Sequence, residues 1–86
     1  MKINYKAIQE DRVIYNNKLL QILNNLIKQY PELRMGQILY NFGFITKKEG
    51  TTQKLFDPFN EEPTITYNRV IEYLREINIY DKIVEQ

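Results

Sequence analysis

Arg34, Gln37 and Asn41 recur at intervals of three and four, so on a helix their polar side chains share one face. Asp57-Pro58-Phe59 forms a short acidic turn downstream, and Glu61 and Glu62 follow it closely. Two chemistries fit this set. In the first, Arg34 forks onto the carboxylate of Asp57 or Glu61 while Gln37 satisfies loop backbone groups, so that the strip fastens one part of the fold to another. A planar guanidinium suits such bidentate pairing. In the second, the strip binds a phosphate, peptide or nucleotide, with Phe59 counted in the same set. The residue types favour the latch, because structural ion-pair networks explain many clusters of this kind.

Enzyme chemistry finds little to work with. The chain contains no cysteine, histidine or serine, so the common nucleophile–base triads and Cys/His zinc sites cannot be built. Asp57, Glu61 and Glu62 lack the alternating oxygen ligands and tight-turn glycine of a calcium loop. Three acids ahead of a helix are more simply a favourable match to its positive end. No catalytic residue, metal or cofactor is therefore assigned.

Two other groups bear on binding. Lys47, Lys48 and Lys54 lie near Tyr40, Phe44 and Phe56, and basic residues interleaved with aromatics can hold single-stranded nucleic acid. With a formal net charge of +1, however, the chain lacks the basic excess of most nucleic-acid binders, and a solvated loop is the better reading of these lysines. Tyr15, Tyr40, Tyr67, Tyr73 and Tyr80 are spread among helices that can each bury one stripe. Some of these amphipathic rings are free to form a protein interface, the alternative being partial burial at the core edge.

Positioning these residues requires helices. Eighty-six residues allow a single small domain with one core. The expected fold is all-α: a small bundle of three main helices near 11–30, 32–42 and 65–77, with a minor β-hairpin or mobile loop between the second and third. In the first helix, Leu19, Leu20, Ile22, Leu23, Leu26, Ile27 and Tyr30 form one broad apolar stripe. Asp11 is its candidate cap, Asn16, Asn17, Asn24 and Asn25 take the opposite side, and Pro31 ends it. Residues 2–10 read as an irregular arm packed by Ile3, Tyr5 and Ile8.

Proline at the first position suits a second helix opening at Pro31 or Glu32. Leu33, Met35, Ile38, Leu39 and Phe42 form its buried stripe. Gly36 inside it implies close approach of another backbone, and Gly43 is the expected left-handed cap. Thr64 or Thr66 caps the third helix, which buries Val70, Ile71, Leu74 and Ile77 and is broken by Asn78. A short turn containing Ile79, Tyr80, Ile83 and Val84 packs back on the core. No apolar run approaches the roughly 20 residues of a membrane span.

The segments PELRMGQILYNFGF and DPFNEEP resemble a family of small, uncharacterised phage and prophage proteins of low-GC bacteria. The matching positions are Pro31, Arg34, Gly36, Gln37, Leu39 and Asn41, then Asp57, Pro58, Phe59, Glu61 and Glu62. In this chain Pro63 and two threonines stand between the acidic run and the last helix. The resemblance implies a helical fold and a phage-like origin, and no activity. A bias towards residues with A/T-rich codons agrees: Ile, Asn, Lys and Tyr supply 36 of the 86 residues. The expected function is that of a non-enzymatic accessory protein in the host cytoplasm that binds a host or phage protein. Small nucleic-acid binding through Arg12, Lys18, Lys28 and the connector lysines is the alternative. A core this small with surplus aromatics also favours a homodimer.

Overall fold

The structure is a computed structural model that describes residues 5–46 and 61–84. Its helices are α1 (Tyr5–Gln29), α2 (Met35–Asn41), α3 (Pro63–Glu76) and the short α4 (Tyr80–Ile83). The fold is all-α, with three main helices. The minor hairpin is not seen; most of its stretch lies outside the described residues, and Phe44 to Thr46 carry no strand.

α1 packs chiefly along α3; α4 meets both of these helices, and α2 meets α1. The core gathers Ile22 and Leu26 from α1, Ile38 of α2 with Phe42 just beyond it, Val70, Ile71 and Leu74 from α3, and Ile83 from α4. Leu26, Val70, Leu74 and Ile83 are wholly shielded. Full burial of a side chain of this size contributes about 1.5–3 kcal/mol, which is how a four-residue helix can be held in place by Ile83. Tyr30 stacks on Phe42 with ring centroids 5.6 Å apart and closes one end of the core.

Three helix ends follow local rules. Gly43 takes φ 86°, the left-handed conformation expected of a residue just past a helix. Asn78 does the same at the end of α3 with φ 60°. The Ile79 N–H then bonds the Leu74 carbonyl at 2.9 Å and the Asn78 N–H bonds that of Arg75 at 3.1 Å. This paired closure brings Ile79 back onto the core and launches α4. Pro31 terminates α1 as expected.

Other expectations are corrected. α1 begins by Tyr5, so residues 5–10 are helix and not an irregular arm, and Tyr5 and Ile8 are exposed. Ile3 lies outside the described residues. Asp11 sits within the helix and not at its cap. The broad apolar stripe divides: Ile22 and Leu26 are buried, whereas Leu20 and Ile27 are exposed on another face.

α2 starts at Met35, because Pro31 and Glu32 form a turn in which the Leu33 N–H bonds the Tyr30 carbonyl at 3.1 Å. Met35 is exposed, and so is Gly36, where an added Cβ would meet nothing within 4 Å; no backbone presses on it. The proline rule applies one helix later. Pro63 occupies the first turn of α3 with Glu62 as N-cap, so neither Thr64 nor Thr66 caps it. Ile77 lies at the helix end and is exposed.

Candidate functional site

The densest polar arrangement among the described residues is built around Arg69, in the middle of α3. Its guanidinium reaches both carboxylate oxygens of Glu61, at 2.9 Å from Nη1 and 2.6 Å from Nη2. On the other side, Nε donates to the Gly43 carbonyl at 2.7 Å and Nη2 to that of Phe44 at 3.4 Å. The Thr66 hydroxyl donates to Glu61 as well. One side chain thus joins the chain entering α3 to the chain leaving α2. Gly43 has to be left-handed for its carbonyl to point there, and an added Cβ would lie 2.7 Å from Cδ2 of Tyr73. The Glu61 and Arg69 side chains are only 7% and 19% exposed. Burial opposes the charged form of Glu61. The hydrogen bonds from Arg69 and Thr66, with the attraction of the guanidinium, outweigh it and hold the carboxyl below its usual range.

The predicted polar strip is placed differently. Arg34, Gln37 and Asn41 are all exposed on or beside α2. Gln37 does satisfy a loop backbone group: its Oε1 accepts the Arg34 N–H at 2.8 Å, which fixes the start of the helix. Of the two carboxylates expected for Arg34, Glu61 pairs with Arg69 instead, and the pairing with Asp57 falls outside the described residues. Asp57 and Phe59 lie outside the described residues, as do Lys47, Lys48, Lys54 and Phe56. A latch to Glu61 therefore exists, with a different arginine. Arg69 is not singled out by the sequence. Its one signal is its place beside Val70 and three residues after Thr66, on the flank of the buried stripe.

A second ion pair joins α1 to α3. Arg12 donates from Nε to Glu62 at 3.0 and 3.3 Å and from Nη2 at 2.6 Å. Glu62 is drawn below its ordinary pKa by the Arg12 hydrogen bond, and Arg12 is raised by the same bond. Both side chains are about half exposed, so salt weakens their attraction. Asn25, expected on the outer face, instead donates to the Ile83 carbonyl at 2.8 Å and ties α4 to α1.

Most tyrosines are used within the fold. Tyr15 and Tyr67 meet edge to face at 5.4 Å, and the Lys18 ammonium lies over both rings at 4.9 and 5.5 Å. Arg75 covers Tyr80 at 4.6 Å. Tyr73 rests on Gly43, and Tyr40 remains half exposed.

A cleft of about 130 Å³ between α1, α3 and α4 is lined by Lys18, Gln21, Asn25 and Tyr67 with their apolar neighbours. Ligand pockets usually enclose about 300–1,000 Å³, a size reached here by open grooves of about 500 and 540 Å³ along α1. Among the described residues, no group of three or more acids could hold a metal ion, and no helix is long and apolar enough to cross a membrane. The arrangement around Arg69 can fasten helices. Comparison with models of known families, with curated proteins and with solved structures finds no match in any of the three.

Proposed function

We propose that this chain is a non-enzymatic accessory protein of phage or prophage origin that acts by binding another protein. The observation that carries the reading is the distribution of apolar side chains. Among the described residues, twelve large apolar side chains are exposed while eight apolar residues form the buried core. Single exposed apolar residues are ordinary, but several here lie together along α1, the arrangement expected of a protein contact. The phage origin rests on the resemblance of the Pro31–Phe44 and Asp57–Pro63 segments and on the A/T-rich codon bias.

The nucleic-acid alternative loses support. Arg12 is engaged by Glu62, and Lys18 lies over two tyrosine rings, which leaves Lys28 and the connector lysines to meet phosphate. Affinity capture from a lysate of a low-GC bacterium, with and without nuclease treatment, tests the proposal. Recovery of a defined protein in fixed proportion to the bait supports it. Capture of nucleic acid alone, with binding that falls steeply with salt, overturns it.

A further inference from the structure

The outer face of α1 has an order that the core does not explain. Val13, Leu20 and Ile27 are seven residues apart, and Asn17 and Asn24 fall between them at intervals of four and three. Leu20 is about 160° round the helix from Ile22 and about 120° from Leu26 at about 100° per residue, but about 60° from Leu23, so this stripe runs along the flank of the core-facing side. All five residues are exposed, Val13 and Leu20 by 59% and 62%. A repeat of 3.5 residues is the spacing that keeps one helix in continuous register with another. Beside its C-terminal half, Leu20, Leu23 and Ile27 join Met35 in a shallow groove of about 540 Å³.

We propose that this stripe pairs antiparallel with the same stripe of a second copy, with Leu20 on the two-fold axis. The proposal deepens the protein-binding reading and rests on it. An antiparallel two-fold through Leu20 places residue i opposite residue 40 − i. Val13 then faces Ile27 of the second copy, Leu20 faces Leu20, and Asn17 and Asn24 fall within about one position of one another. Every layer is matched: apolar meets apolar, and two amides able to both donate and accept meet each other. Asparagine inside such a seam costs stability and fixes register, which suits a weak, defined pair.

Charge selects the direction. Glu10 and Lys28 lie on the same flank of the stripe, near its two ends. Antiparallel pairing brings Glu10 to within about one helical turn of Lys28 of the second copy on each side of the axis. In a parallel pair each would face the other flank, where Asn16 and Leu23 carry no charge and Arg12 is already paired with Glu62. Parallel α1 helices would also set like dipole ends together. The groove beside Met35 would receive the N-terminal half of the opposing α1, around its Val13. About 21 Å of helix separates Val13 from Ile27 at about 1.5 Å per residue, a short seam, so the dimer exchanges with monomer.

The chain has no cysteine, so single cysteines report the pairing directly. Sedimentation of the full chain from about 1 to 500 μM, the range of weak association, is expected to show monomer passing to dimer. Leu20→Glu places two carboxylates on the axis and should abolish the dimer without loss of helical circular dichroism. Leu20→Cys should cross-link to itself under mild oxidation. Val13→Cys should not, yet should cross-link to Ile27→Cys when the two variants are mixed. Self-linking of Val13→Cys, or a monomer throughout that concentration range, overturns the proposal. A wild-type monomer that captures a different protein, and loses it on Leu20→Glu, assigns the stripe to that protein: the second copy is then wrong while the protein-binding function stands.

Discussion

Replacing Arg69 with alanine removes four hydrogen bonds at once: two to Glu61, one to Gly43 and one to Phe44. Glu61 is left with Thr66 as its remaining partner among these groups, in a site where its side chain is 7% exposed. Breaking a fully buried ion pair from one side costs about 3–5 kcal/mol, because the stranded charge has lost its water and its partner. Arg69 is 19% exposed, so cutting it back admits some solvent, and the expected cost falls to about 2–4 kcal/mol. A domain of this size has a total stability of about 4–13 kcal/mol. The loss is therefore a large fraction of the whole, with a fall in Tm of about 10–25 °C. Urea denaturation followed by circular dichroism gives the free energy. Arg69→Lys keeps the charge but cannot fork, and should fall between wild type and alanine. Glu61→Ala should destabilise too, and the double variant should cost clearly less than the two single changes added. An Arg69→Ala variant within about 0.5 kcal/mol of wild type, a difference usual for unstructured surface sites, would sink the reasoning.

Three further outcomes follow from the same geometry. Because Glu61 has a lowered pKa when folded, its contribution is full above the unfolded value of about 4.3 and is lost as pH falls through the folded value; urea midpoints measured from pH 6 down to 3 should drop, and drop less steeply in Glu61→Gln. Gly36 and Gly43 should respond with opposite sign in thermal melts: Gly36→Ala faces open space in a helix and should gain about 0.5–1 kcal/mol, whereas Gly43→Ala meets φ 86° and the Tyr73 ring and should lose about 1–2 kcal/mol. Asn25→Leu should cost about 1–2 kcal/mol by leaving the Ile83 carbonyl without its donor, and hydrogen exchange should show the loss concentrated in α4.

Local signals were readable where one residue decides the backbone. Pro31, Gly43 and Asn78 mark helix ends because ring closure or a left-handed φ acts within one or two residues. The α2 start was misread because Pro31 suits either a first helical turn or a tight turn, and the choice is made by Gln37 bonding the Arg34 N–H. The irregular arm expected over residues 2–10 implies a break before α1. Once a helix is nucleated, however, adding residues is cheap, and the helix runs on to Tyr5. Asn25 could not be assigned from spacing, since its acceptor, the Ile83 carbonyl, belongs to a distant segment and carries no side-chain signature; for Arg69, Glu61 is visible eight residues earlier but the carbonyls of Gly43 and Phe44 are not.

The division of α1 into two stripes follows from its composition. Leu19, Ile22, Leu26 and Tyr30 advance by three or four residues and stay on the side that meets α3. Val13, Leu20 and Ile27 advance by seven along another face, with asparagines between them. On a sequence window the two sets overlap into one broad apolar band, because Leu19 and Leu20, or Leu26 and Ile27, are adjacent. Only the position of α3 separates them. A helix apolar on two faces needs both covered, and the other helices leave Val13, Leu20 and Ile27 exposed. Four asparagines between residues 16 and 25 give α1 little intrinsic helicity, so its outer half depends on contacts for stability. A contact that covers Val13, Leu20 and Ile27 would therefore do more than hide apolar surface: it would also hold the helix that carries them.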